Sequence, residues 1–256
     1  MNVLAVFAHP DDETVLAGGI LALAARSGMY VDYVCATRGE GGETGDPPVC
    51  SREMLGEVRE QEMVCAVQEL GGRSLTFLGY VDPPAGEKDE LFAYTDNLTM
   101  LAGQIAASIK QFGSQIVLTH GSNGEYGHPA HLVTHQAVRI AVESLQDTDE
   151  YMQPVLYTVQ AHFEENPKPH LANSEDQAHL VIDVSSVVDI KTQAAVCHKS
   201  QNTLFVRRAS ERAGRQLTVP EVIVPLESLH RVIPVLEAEL DDGFARVLSR
   251  WQIAMS

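Results

Sequence analysis

His9, Asp11 and Asp12 fall within the short run Ala8-His9-Pro10-Asp11-Asp12-Glu13. An imidazole and two carboxylates so close together have the composition of a divalent metal site. A second cluster lies far downstream, in Thr119-His120-Gly121-Ser122-Asn123-Gly124-Glu125-Tyr126-Gly127-His128-Pro129-Ala130-His131. His128 and His131, three apart, share one face at a helix entrance, and His131 and His135, four apart, can also face one ligand. The plain alternatives are that Asp11 or Asp12 only caps a helix and that each histidine only packs. Both lose ground because the two clusters follow strand-like runs and so meet at one sheet edge.

The elements that must position these residues are legible as apolar runs. Val3–Phe7 has no polar alternation and reads as a strand buried on both faces. Residues 14–28 read as a helix, Val31–Ala36 as a second strand, and Gly39–Pro48 as a long glycine-rich loop at the pocket rim. A helix over 51–71, capped by Ser51, precedes a short strand at Leu75–Leu78. A helix at Asn97–Phe112, a strand at Ile116–Thr119 and a helix at His131–Leu145 follow. Val155–Gln160 and Leu180–Val184 read as strands and 186–200 as a helix. From about 201 the pattern weakens and is punctuated by Pro220, Pro225 and Pro234. This alternation predicts βαβ units in a mainly parallel sheet, with ligands at the carboxyl edge of the strands.

The 256 residues, 45% hydrophobic and 21% charged, suit one globular domain over 1–256 with a less regular portion from about 201. A formal net charge of -17 argues against nucleic acid or an anionic membrane surface as partner. No apolar run reaches the ~20 residues of a membrane span, and Met1-Asn2 leads directly into the first strand, so the expected location is cytoplasmic. Cys35, Cys50, Cys65 and Cys197 show no ligand spacing and read as reduced, mostly buried thiols. The first strand is followed by His-Pro-Asp-Asp-Glu instead of a glycine fingerprint, which disfavours a dinucleotide-binding protein.

Ala8–Glu13 and Tyr126–His131 together resemble the LmbE-like or PIG-L-like zinc-dependent N-deacetylases. Thr37–Gly42, Val58–Met63, Leu78–Asp82 and Lys191–Gln201 extend the resemblance over roughly residues 3–201. It implies an α/β, Rossmann-like three-layer sandwich with the metal at the carboxyl edge. It also implies one zinc held by His9, Asp12 and His131, a donor set that iron(II) would accept as well. By the same resemblance Asp11 is the general base. His128 is a charged imidazolium that stabilises the oxyanion or protonates the leaving amine, and Tyr126 adds a hydrogen bond. Arg59 and Asp82 match residues that contact sugar hydroxyls. One position departs: the family's Asp between the two histidines is Ala130. A partner for His128 must then come from elsewhere, with His198, Glu43 and His120 as candidates.

The implied reaction is removal of the acetyl group from an N-acetylglucosamine-type conjugate, giving a free amine and acetate. The alternatives are an amidase acting on a thiol-sugar conjugate or another small amide, and a non-catalytic metal-binding protein on the same fold. The expected partner is a small acetylated sugar; relatives are often multimeric, which leaves a homo-oligomer open.

Overall fold

The computed structural model describes residues 1–146, 153–236 and 240–254. In chain order the elements are β1 (Asn2–Phe7), α1 (Asp12–Arg26), β2 (Tyr30–Thr37), α2 (Leu55–Glu69), β3 (Ser74–Tyr80) and α3 (Leu98–Phe112). Then come β4 (Ile116–Thr119), the single turn α4 (Gly124–Gly127), α5 (Pro129–Gln146), β5 (Val155–Val159), β6 (Ala161–His162) and β7 (Asn173–Gln177). β8 (Leu180–Asp183), α6 (Val188–Cys197), α7 (Asn202–Ala213), the single turn α8 (Val219–Val222), β9 (Leu226–Ile233) and α9 (Gly243–Leu248) complete the fold.

Seven strands form one sheet in the order β3-β2-β1-β4-β5-β9-β8. The first five run parallel, and β9 lies antiparallel to both β5 and β8. Successive β1 side chains face opposite layers, as strand geometry requires. Val3, Ala5 and Phe7 join a core with α1, α2, α6 and α9, while Leu4 and Val6 join a core with α3 and α5. Each large apolar side chain buried this way stabilises the fold by roughly 1.5–3 kcal/mol. The apolar run of β1 is thus explained by helices on both faces. From β1 the chain builds outward through β2 and β3, then returns to place β4 on the other side of β1. That reversal opens a crevice at the carboxyl ends of β1 and β4, where open α/β sheets bind ligands.

Three local expectations need correction. Ser51 makes no side-chain cap; a 3-10 turn at Arg52–Met54 comes first and α2 begins at Leu55. The segment past 201 is more regular than its pattern suggested, because it supplies α7 and the internal strand β9. β9 was obscured by Glu227, a buried charge with a structural task. Its carboxylate accepts from Gly19 N and Ile20 N at 2.7 Å each and from Lys191 Nζ at 2.7 Å, tying α1 and α6 to the sheet. The thiols are not all reduced either. Cys65 is exposed on α2 and forms a disulfide with Cys197, the last residue of α6, across 132 positions of sequence. Cys35 and Cys50 are free. Among the described residues no helix is long and apolar enough to cross a membrane.

Candidate active site

The chain leaves β1 and enters α1 through Asp11, whose φ of 108° is unusual for a residue with a side chain. Although Asp11 occupies the N-cap position, its side chain makes no capping bond, which removes the plain helix-cap reading. Neighbouring groups hold this turn. Glu13 is fully buried; one carboxylate oxygen accepts from Asp11 N at 3.0 Å, and the other lies 2.9 Å from His198 Nε2. Burial opposes a charge on His198, but Glu13 outweighs it and raises the histidine's pKa. Glu13 therefore links the opening motif to the end of α6.

The second half of the site hangs from β4. Glu125, at φ 60°, is turned inward and completely enclosed in hydrogen bonds. Its Oε2 accepts from His131 Nδ1 at 2.6 Å and His120 Nδ1 at 3.0 Å, and its Oε1 accepts from Gly121 N at 2.9 Å. Asn173 of β7 brackets the same residue, accepting from Glu125 N at 3.0 Å and donating to Oε1 at 3.2 Å. Gly121 has to be glycine, since a Cβ there would sit 1.9 Å from the Asn173 amide carbon. Burial opposes ionisation of Glu125, but the two imidazoles overcome it and hold the carboxyl well below its ordinary range.

Hydrogen-bond bookkeeping separates the candidate ligands. Ring nitrogens of His9, His128 and His131 lie within 4.8 Å of one another, as do donor atoms of Asp12, His120 and His131. His120 Nε2 accepts from Ala8 N at 3.0 Å while its Nδ1 donates to Glu125, so no lone pair is left for a metal. His128 Nδ1 likewise accepts from Ala130 N at 3.2 Å, which places its proton on Nε2. His131 differs: its Nδ1–H is held by Glu125, and its Nε2 points at Asp12 Oδ1, 3.3 Å away. His9 repeats the pattern, with Nε2 on Asp82 Oδ1 at 3.2 Å and Nδ1 facing Asp12 Oδ2 at 3.4 Å.

Two electron-rich atoms facing each other repel unless a cation lies between them. Protons satisfy that demand in part. Burial opposes charge on both imidazoles, yet Asp12 and Asp82 raise His9 to about 9, and Asp12 and Glu125 raise His131 to about 10. A metal ion meets the same demand. Separations of 3.3 and 3.4 Å match neighbouring ligands of a tetrahedral ion with bonds of ~2.0–2.2 Å. The histidine–aspartate cluster at this edge is therefore able to hold a divalent metal ion. Glu125 and Asp82 hydrogen-bond the imidazoles of His131 and His9 and so fix their orientation.

The remaining expected site residues are placed differently from one another. Asp11 stands beside Asp12. Burial raises its pKa to about 6, with Arg59 pulling it down and Asp12 pushing it up. Arg59 is only 3% exposed, and its guanidinium donates to Pro10 O, Gly39 O at 2.9 Å and Asp11 Oδ2 at 3.2 Å. It is a buried support for Asp11 and the glycine loop. Gly39, at φ +67°, has to be glycine, since a Cβ would lie 2.2 Å from that guanidinium. Asp82 is buried between His9 and Gly41 N, 3.2 Å from each. Gly39–Pro48 is thus fastened at several points.

His128 corrects the expectation of an imidazolium. Burial, then the positive charges of His131 and His9, lower its pKa to about 3, so it is neutral with an Nε2–H donor. None of the three candidate partners for His128 reaches it through a hydrogen bond: His120 serves Glu125, His198 serves Glu13, and Glu43 pairs with Arg207 at 2.8 Å. Ala130 supplies only its backbone N–H. Tyr126 is 54% exposed and sets its ring edge-on to His128 and His131, with centroids 5.6 and 5.7 Å away. His135 is structural, its Nδ1 bonded to His120 O at 2.9 Å. Sequence reasoning missed Glu125 altogether and named His120 only as one of three partners for a different histidine.

Fold and site define an α/β protein with a histidine–carboxylate cluster able to hold a metal at the switch point of a mainly parallel sheet. The family profile described as "PIG-L: GlcNAc-PI de-N-acetylase" matches residues 4–142, and the chain belongs to this family. It is 35% identical over 168 residues to 1D-myo-inositol 2-acetamido-2-deoxy-alpha-D-glucopyranoside deacetylase 3 of Catenulispora acidiphila, covering 58% of this chain and 46% of that protein. The chain thus spans about half the length of that relative. Similarity to the deacetylase of the same kind from Mycobacterium sp. (strain KMS) is 30% over 252 residues, covering 86% of this chain and 80% of that one. Among solved structures, GalB, the 4-carboxy-2-hydroxymuconate hydratase from Pseudomonas putida KT2440, superposes with a TM-score of 0.61 at 21% identity. That match covers 94% of this chain and 99% of GalB. It shows the fold alone, since one fold hosts different reactions.

Proposed function

We propose that this protein is a metal-dependent hydrolase that removes the acetyl group from an N-acetylglucosamine-type sugar conjugate. The observation that carries the reading is the facing pair Asp12 Oδ1 and His131 Nε2, 3.3 Å apart, beside a second carboxylate outside the donor set, Asp11. The named activities of the family and of the two curated relatives supply the substrate class. His9, Asp12 and His131 hold the metal, which we propose to be zinc. Bound there, it supplies Lewis acidity toward the acetamido carbonyl and lowers the pKa of water.

The chain's own groups divide the remaining work. Asp11, with a pKa near 6, is ionised at neutral pH and basic enough to accept the proton of the attacking water. Arg59 fixes its orientation. Neutral His128 donates from Nε2 toward the oxygen on which negative charge develops, a task that needs a hydrogen-bond donor and no formal charge. The Tyr126 hydroxyl, which bonds to no described residue, is available for a second such bond. The water oxygen ends on the acetyl carbon, the C–N bond breaks, and the nitrogen leaves as an amine carrying a proton from water.

Mass spectrometry of metal-reconstituted protein incubated with a panel of N-acetylglucosamine conjugates tests this. Loss of 42 mass units with release of acetate is expected for at least one conjugate, about 42 being the mass an acetyl group adds over hydrogen. Intact conjugates throughout, with the metal bound, would overturn it.

A further inference from the structure

The Cys65–Cys197 disulfide lies one residue from a side chain that supports the Asp11 turn. His198 follows Cys197 directly, is fully buried, and places Nε2 2.9 Å from Glu13 Oε1. Glu13 Oε2 in turn accepts from Asp11 N at 3.0 Å and so holds the positive-φ turn. Among the described residues His198 Nδ1 has no hydrogen-bond partner. The ring is therefore positioned through its own backbone, by whatever fixes the residues on either side of it.

Both sides are fixed by α2. Cys197 is bonded to Cys65, and the Glu62 carboxylate accepts from Ser200 N at 2.8 Å and from Ser200 Oγ at 2.7 Å. Arg59, Glu62 and Cys65 are spaced by three on α2, so they are neighbours along its surface. Arg59 donates to Asp11 Oδ2 at 3.2 Å. Asp11 is thus held on its side chain by α2 directly, and on its backbone by Glu13 and the end of α6. The disulfide is the covalent tie between those two supports. Cys65 is its exposed end, whereas Cys197 is buried.

We propose that the Cys65–Cys197 disulfide is a thiol-sensitive brace of the Asp11 turn. Closed, it seats His198 on Glu13; opened by a low-molecular-weight thiol, it frees the end of α6 and slows the step in which Asp11 accepts a proton. The thiolate attacks the Cys65 sulfur, the bond to Cys197 breaks, and Cys197 leaves as a thiolate that takes up a proton. A second thiolate attacks the small-molecule sulfur of the mixed disulfide and releases Cys65, which is protonated in turn. The protein gains two electrons, and two small thiols are oxidised to one disulfide. His198 acts here as a positioning residue. That the turn serves a proton-accepting base rests on the proposed function; that the disulfide braces the turn does not.

Two readouts on the full, metal-loaded chain test this, before and after dithiothreitol treatment and desalting, at a temperature well below unfolding of the reduced form. Thiol labelling confirms that Cys65 and Cys197 are free. Hydrogen–deuterium exchange of the peptide containing Asp11 should become faster on reduction. With the conjugate turned over best, kcat should fall about ten-fold or more, with KM little changed and metal content equal. Cys65→Ser/Cys197→Ser should show the lower kcat throughout and ignore thiol. In His198→Gln, reduction should change kcat by less than about two-fold, because the route to Asp11 is already broken. Exchange that reduction leaves unchanged would overturn the brace, as would a measurable kcat that does not fall. Metal lost in step with activity, or a full response to thiol in His198→Gln, would overturn it as well. If neither form deacetylates any conjugate but exchange still quickens on reduction, the proposed reaction fails and the brace stands.

Discussion

The Nδ1–H of His131 donates to Oε2 of Glu125 over 2.6 Å, and this bond fixes which nitrogen of His131 faces Asp12. A carboxylate only accepts, so the neutral imidazole of His131 carries its proton on Nδ1 and its lone pair on Nε2. The same carboxylate gives His120, stacked 3.9 Å away, the same tautomer, but the Nε2 lone pair of His120 accepts from Ala8 N at 3.0 Å and that of His131 does not.

Glu125→Gln should therefore weaken metal binding by about 10–100-fold, since an amide holds a ligand imidazole less strongly and can present the wrong group to it. Competition with a zinc-responsive chelator measures this, with circular dichroism to confirm the fold. Unchanged affinity would show that Glu125 does not orient the ligand.

Glu125 also marks where the sequence stops being informative. Its role depends on a positive-φ turn and on Asn173, a residue of β7 that reaches it only through the topology, so no spacing signals it. The two clusters that contain His9, Asp12 and His131 stand out because each follows an apolar strand run, and parallel strands covered on both faces read as uninterrupted apolar sequence. β9 was not legible: Glu227, Ser228, His230 and Arg231 break its apolar pattern, and Glu227 is tolerated in the interior only because α1 and Lys191 satisfy it. The Cys65–Cys197 disulfide escaped for the same reason as Asn173, since its partners meet only where α2 packs on α6.

A pKa of about 6 for Asp11 predicts an acid limb in kcat/KM. The base works ionised, so activity should fall as pH drops through about 6, one proton at a time. Arg59 favours the ionised form through its positive charge. Removing it in Arg59→Gln should move the limb to higher pH, so that activity is lost sooner on acidification. A pH–rate profile of both proteins checks the sign; a limb shifted to lower pH would contradict it.

The Cys65–Cys197 link closes a long stretch of chain and so constrains the unfolded state. Cys197→Ser, or reduction, should lower stability by about 2–5 kcal/mol. Urea unfolding with and without reductant reads this as a lower midpoint, and coincident curves would show that the link contributes nothing.

Lys191 and Glu227 form a buried ion pair at 2.7 Å. Lys191→Met leaves the carboxylate with only the two α1 N–H donors, and a loss of about 3–5 kcal/mol is expected from breaking such a pair on one side. Thermal unfolding measures it, and a shift in Tm no larger than that of an exposed Lys→Met control would contradict it.

The central claim is a division of labour in the opening motif, with Asp12 holding the metal and Asp11 the proton. Measuring metal content and turnover together for Asp11→Asn tests it most directly. Full metal occupancy with deacetylation reduced by about 10²–10⁴-fold is the predicted result. Turnover that persists undiminished, or metal lost in step with activity, would contradict it.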